Sequence, residues 1–255
     1  MSIPSKTGDI KIVTINKVLE ELDIEVGEDI YMGDFDLMGW HLASKVRDRE
    51  SENYKKHAAV FRPNFERGIL VHSLIQKKGL CRILEIGFGR GYATACSIRA
   101  LYEKGIDGSV TTVDPALTQE KLQSLSRIMS PESLKSVSIK AVNKTSDDYF
   151  EELSEEEKFD LIFIDGDHRY DAVKKDFENA IKHIDRGYIL MDDYHMPTKN
   201  DLDIEVANYV DSLGDEVTRR LVLTDRLLFV DDRNSDPESL DYGMVLIPIG
   251  DIEDE

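Results

Sequence analysis

The stretch "RILEIGFGRGYATA", residues 82–95, decides the fold. Ile83, Leu84 and Ile86 make a short apolar run of the kind that forms a buried strand. Gly87, Gly89 and Gly91 break that run, and residues 91–104 resume at helical spacing. Strand, glycine turn and helix in immediate succession form the opening unit of a parallel sheet with crossover helices. Glycines at such a turn let the backbone fold tightly and approach a ligand with no Cβ in the way, and the helix N-terminus favours an anionic group.

Downstream the alternation continues. Residues 109–114, 136–142, 159–165 and 188–193 carry the β-branched and apolar residues of further buried strands. Tyr170, Val173, Phe177, Ala180, Ile181 and Ile184 recur at helical spacing, which predicts a helix over 170–184 with one face on the sheet. Residues 118–129 read as another connecting helix, and "TSDDYFEEL" (145–153) starts with a capping-type Thr/Ser-x-x-Asp pattern. A helix at 204–213 comes next, then strand-like runs "VTRRLVL", "RLLFVDD" and "GMVLIPI", of which at least two are expected to close the sheet as an antiparallel pair. The expected fold class is α/β, a doubly wound, mostly parallel sheet with an antiparallel C-terminal strand. Its domain spans residues 65–250, after an N-terminal helical or lid segment (1–64, helical near 15–22) and before an acidic tail (251–255).

Composition narrows the partners. The chain of 255 residues is 41% hydrophobic and carries 51 acidic against 32 basic residues, a net charge of −19. Such a surface repels phosphate backbones and anionic lipid, which argues against nucleic acid and membrane partners. The opening "MSIPSKTGDIKIV" lacks the basic segment and apolar stretch of a secretory leader, and no apolar run approaches a membrane span. Cys81 and Cys96 lack metal-type spacing and are expected to stay reduced in a cytoplasmic setting.

The glycine spacing is G-x-G-x-G, with the third glycine one residue earlier than in the dinucleotide pattern G-x-G-x-x-G, which tilts the choice away from NAD. With Glu85 two residues before the first glycine, "LEIGFGRG" resembles the class I S-adenosylmethionine-dependent methyltransferases. The resemblance implies a seven-stranded Rossmann-like sheet and a turn, Glu85, Gly87, Phe88, Gly89 and Gly91, that cradles the methionine half of S-adenosylmethionine. Asp114 ends the second strand, where a carboxylate can accept hydrogen bonds from both ribose hydroxyls. Ser146 comes after the third strand, at a position lining the adenine in family members.

Asp165, Asp167 and His168 sit at the end of the fourth strand, Asp192 and Asp193 at the end of the fifth. In an open parallel sheet the ligand crevice lies outside the carboxyl ends of the strands, so adjacent strand ends aim these groups at one place. Carboxylates converging there repel unless a cation or protons intervene, and hard oxygen ligands imply Mg²⁺ or Ca²⁺. "FIDGDH" followed by "LMDD" is similar to the cation-dependent O-methyltransferases, and D-G-x-H resembles their macrolide-sugar or small-natural-product branch. The resemblance implies Asp165, Asp192 and Asp193 as ligands of a divalent metal, expected to be Mg²⁺, His168 as general base, and methyl transfer to a hydroxylated small molecule such as a sugar. Asp165 and Asp167 are also expected cofactor contacts, and self-association of sugar-type relatives makes a homo-oligomer an expectation too.

Blander readings stand beside these. Asp165 and Asp167 suit a turn or helix cap, Asp192 and Asp193 a solvated loop pair, and His168 a hydrogen bond to backbone. His195 is near enough in sequence to reach an acceptor, and Tyr31, Phe35 and Trp40 suit either a lid or core packing. Two functional alternatives remain: a metal-independent methyltransferase acting on an amine or carboxylate, and a non-catalytic binding or structural protein of the same fold.

Overall fold

The computed structural model describes residues 11–14, 20–21, 65–126, 129–195, 204–214, 217–223 and 242–250. The expected lid residues Tyr31, Phe35 and Trp40, the run "RLLFVDD" and the acidic tail lie outside them, as does the side chain of His195. In chain order the elements are β1 (Lys11–Thr14), α1 (Phe65–Lys78), β2 (Arg82–Ile86), α2 (Tyr92–Lys104), β3 (Ser109–Val113), α3 (Gln119–Leu125), α4 (Pro131–Ser136) and β4 (Ser138–Val142). They continue as α5 (Ser146–Glu152), β5 (Leu161–Ile164), α6 (Tyr170–Ala180), β6 (Gly187–His195), α7 (Val206–Ser212), β7 (Arg220–Leu223) and β8 (Tyr242–Ile249).

The strands form one sheet in the order β1-β7-β8-β6-β5-β2-β3-β4. Every neighbouring pair is parallel except those of β8, which runs antiparallel to β6 and β7. The doubly wound sheet with an antiparallel C-terminal strand is therefore present, with eight strands among the described residues where seven were expected. The eighth is β1, four residues inside the expected lid segment, too short to carry a pattern of its own. The helix expected over 118–129 ends at Leu125, and Ser130 caps a new one with Pro131 at its first position. The helix expected to 184 closes with a 3-10 turn at Ile181–His183.

Side-chain alternation splits the core into two layers. Ile83, Leu161, Phe163, Tyr188 and Leu190 pack with α1 and α2 on one face. Leu84, Ile86, Ile162, Ile164, Ile189 and Met191 pack with α6 and α7 on the other. Carried to the strand ends, the same parity sends Glu85, Asp165 and Asp192 toward the α1–α2 face. From β2 the chain winds outward to β3 and β4 on one side, while β5 pairs with β2 on the other. The strand order reverses between β2 and β5, and a crevice opens at such a switch point beyond the carboxyl ends.

Candidate cofactor and reaction site

At that switch point lies a cavity of about 1080 Å³. Gly87 and Gly89 form its floor, Asp114, Thr145, Ser146 and Asp147 one wall, and Asp165, Asp167, Arg169, Lys175 and Glu205 the other. Gly87 has φ +92°, and a Cβ there would stand 2.0 Å from the Asp165 carbonyl oxygen, so only glycine lets β2 and β5 end so close together. Gly91, φ +78°, begins α2 with no side-chain cap, and its missing Cβ makes room for the Phe88 ring at 2.4 Å.

Of the residues expected to hold the cofactor, Gly87, Gly89, Asp114, Ser146, Asp165 and Asp167 line this cavity together. Glu85, Phe88 and Gly91 do not. Phe88 is 2% exposed and packs beneath the turn. Glu85 is buried behind it, where it accepts the Thr94 hydroxyl of α2, and burial pushes its carboxyl up to about 8. Asp114 holds the turn in place: its carboxylate accepts the Gly89 N–H at 3.1 Å and the Ala116 N–H at 2.6 Å. Thr145 caps α5 through the Asp148 N–H at 3.2 Å, as the Thr/Ser-x-x-Asp pattern predicts. The next residue is Ser146, and burial raises the carboxyl of Asp176, with Ser146 holding it back, to about 6.

Asp167 is not the N-cap of α6, a position that falls to Arg169. The Asp167 carboxylate instead accepts the Arg169 N–H at 3.1 Å and its Nε at 3.0 Å, an Asx-type turn locked by an ion pair that lowers the Asp167 pKa. The first turn of α6 is satisfied from outside: Glu205 accepts the Tyr170 N–H at 2.9 Å, and its own N–H donates to the His168 carbonyl at 2.7 Å.

The acidic strand ends divide in a way that their sequence spacing does not anticipate. Asp192 and Asp193 together oppose Met244 of β8, a β-bulge, and Asp193 adopts φ +56°. That kink parts the two carboxylates. Asp192, 2% exposed, turns to α1 and pairs with Arg67 Nη2 at 2.7 Å, and Asp165 pairs with Nη1 of the same guanidinium. Asp193 Oδ2 lies 3.3 Å from His168 Nε2. Burial opposes the Arg67 charge, but Asp165, Asp192 and Asp193 outweigh it and raise its pKa further. Burial also raises the Asp192 carboxyl, with Arg67 holding it back and Asp193 and Asp165 pushing the same way as burial.

This changes the metal expectation. Among the described residues, the carboxylate and imidazole atoms that converge within 4.8 Å belong to Asp165, His168 and Asp193, not to Asp165, Asp192 and Asp193. Asp192 is taken by Arg67, which also holds one oxygen of Asp165, so the expected ligand triad does not fit a divalent ion as it stands. Arg67, Arg169 and Glu205 were not singled out from the sequence. Among the other histidines, His72 pairs with Glu103 at 2.9 Å, and His183 bonds the Glu157 carbonyl at 2.9 Å and stacks on Phe150.

The model of the methyltransferase domain family matches residues 84–194. No curated protein sequence matches the chain significantly. Among solved structures, the chain is similar to an O-methyltransferase from Bacillus cereus in complex with SAH (18% identity, 87% of this chain and 94% of that one, TM-score 0.58). It is similar also to TomG from Streptomyces achromogenes, an O-methyltransferase involved in tomaymycin synthesis, in complex with SAM (20%, 86% and 100%, 0.53), and to the SAH-bound methyltransferase PaMTH1 from Podospora anserina (16%, 98% and 99%, 0.52). At these identities the likeness is one of fold. No helix among the described residues is long and apolar enough to cross a membrane. Residues 84–194, which hold the glycine turn at the switch point and the distal Asp114, are thus similar to the methyltransferase domain family, and the chain shares its fold with the S-adenosylmethionine- and SAH-bound enzymes above.

Proposed function

We propose that this protein transfers the methyl group of S-adenosylmethionine to a hydroxyl of a small molecule, with His168 as the general base and without a divalent metal holding the acceptor. The observation that carries the reading is the placement of His168 and Asp193 beside Asp165, at the edge of the cofactor cavity. The cavity wall holds six carboxylates (Asp114, Asp147, Asp165, Asp167, Asp171 and Glu205) against two cations, Arg169 and Lys175, a balance that favours a ligand carrying a sulfonium and an ammonium group. Asp114 offers the carboxylate for the ribose, and Ser146 stands on the same wall for the adenine.

In the transfer, the acceptor oxygen attacks the methyl carbon, the C–S bond breaks as the C–O bond forms, and the hydroxyl proton leaves to His168. Asp193 beside Nε2 favours the tautomer with hydrogen on that nitrogen, which leaves the Nδ1 lone pair to take the proton. A neutral imidazole within reach of the acceptor hydroxyl is suited to this role. Asp193 then stabilises the imidazolium that forms. Were His168 a metal ligand, its lone pair would be lost to proton transfer.

The test is product mass spectrometry with S-adenosylmethionine and a panel of hydroxylated acceptors, sugars included, run beside SAH calorimetry. His168→Ala should lower the rate by about 10²- to 10⁴-fold while SAH affinity stays close to wild type. Full activity in the variant would remove the base, and methylation confined to amines would redirect the acceptor class.

A further inference from the structure

Three carboxylates at two adjacent strand ends need positive charge, and the structure supplies it from within the chain. Arg67 lies in the first turn of α1, on the face toward which strand parity sends Asp165 and Asp192, and its two terminal nitrogens reach one carboxylate each. The guanidinium side chain is 15% exposed and that of Asp192 fully buried, so the bridge is an interior feature rather than a surface pair. Its formation depends on space made elsewhere: at Gly68 a Cβ would stand 2.5 Å from the Tyr92 hydroxyl and 2.7 Å from Cys96 Sγ, so a larger residue would push the start of α1 off α2. A planar fork with a permanent charge suits two carboxylates on neighbouring strands, which a lysine could meet only as a point charge.

We infer that Arg67 is the resident cation of this site, a positioning residue that occupies by covalent attachment the charge-balancing place of a divalent metal between Asp165 and Asp192. Asp165 is thereby fixed at the rim of the cofactor cavity, and Asp192 becomes a structural anchor for α1 rather than a ligand. Metal and guanidinium exclude each other here: a divalent ion on Asp165 and Asp192 would have to displace Arg67 and bury its charge without partners. The inference deepens the proposed metal-free transfer and rests on it only for its consequence in catalysis.

Mn²⁺ binding followed by electron paramagnetic resonance tests it without any acceptor. The wild-type chain, freed of metal by EDTA, should show no stoichiometric Mn²⁺ site, and its melting temperature should not move with Mn²⁺. Arg67→Met should bind one Mn²⁺ per chain, on the order of tenfold or more tighter than wild type, and be stabilised by it. A stoichiometric site in wild type that disappears in Asp192→Asn or in His168→Ala would overturn the inference, as would an Arg67→Met chain that folds and gains no Mn²⁺. The wild-type titration decides the matter where Arg67→Met fails to fold. SAH calorimetry on the same wild-type sample separates the readings: absence of SAH binding would sink the methyltransferase proposal while leaving the Mn²⁺ result to judge Arg67.

Discussion

The two halves of the site are built by opposite means. The cofactor half is assembled from short-range devices: the Gly87–Gly91 turn, Asp114 on the Gly89 N–H, and Thr145 capping the helix that carries Ser146. The reaction half hangs on one long-range bridge, in which Arg67 reaches Asp165, 98 residues away, and Asp192 beyond it. Local devices each contribute little and fail separately. A buried ion bridge concentrates the cost of failure in one residue, because removing a partner leaves charge stranded in a medium that solvates it poorly.

The largest effect should therefore come from Arg67. Arg67→Met keeps an unbranched apolar stem and removes the charged fork, leaving the fully buried Asp192 without its guanidinium. The expected loss is about 3–5 kcal/mol in denaturant unfolding. Asp192→Asn should cost less, since it removes the buried negative charge while Asp165 keeps its pairing with Arg67, and the double variant should recover part of the loss through coupling. Equal and additive losses would show that the bridge is not the element that ties α1 to the strand ends.

The same contrast explains what the sequence discloses. Strand, glycine turn and helix are contiguous, so residues 82–104 announce the sheet, its direction of winding and the cavity floor, and the Thr/Ser-x-x-Asp pattern places α5 to within a residue. Asp165 and His168 are legible because they come directly after a strand. Arg67 carries no local pattern: it is one basic residue in a helix whose partners lie on two other strands. Asp192 and Asp193 read alike in the sequence, as a pair at a strand end, yet only the Asp193 carboxylate converges with Asp165 and His168, while Asp192 pairs with Arg67. The bulge opposite Met244 and the positive φ of Asp193 decide where the second carboxylate goes, and these depend on β8, about fifty residues away. β1 is invisible for a similar reason, four residues whose strand character comes from pairing with β7.

Glu85 stands between the halves and gives an intermediate effect. Its carboxyl sits near 8 in the folded chain because of burial, against an ordinary value of 4.5 when unfolded. Between those two values the folded state holds a proton that the unfolded state has released, so stability falls as pH rises, by about 1.4 kcal/mol per pH unit for this group. Asp192 and Asp176, also raised by burial, slope the same way, so the comparison needed is with Glu85→Gln. The variant cannot lose a proton there and should gain on wild type steadily from pH about 5 to about 8, then run parallel above it. Parallel curves throughout would place the Glu85 proton elsewhere.

The smallest effects should be those of the helix caps, and they separate stability from cofactor binding. Thr118 caps α3 through the Lys121 N–H at 3.2 Å, and Thr145 caps α5 through the Asp148 N–H at the same distance. Alanine at either position should cost about 1 kcal/mol, the usual value of a lost threonine cap. The two helices differ just beyond the cap: α5 begins with Ser146 on the cavity wall, whereas neither Thr118 nor α3 lines the cavity. Thr145→Ala should therefore weaken SAH in calorimetry and Thr118→Ala should not, at equal cost in unfolding. Thr145→Ser keeps the capping hydroxyl and should restore both readings. If Thr118→Ala weakened SAH as much as Thr145→Ala did, affinity would be tracking global stability, and the cofactor half would share the all-or-none character of the Arg67 bridge.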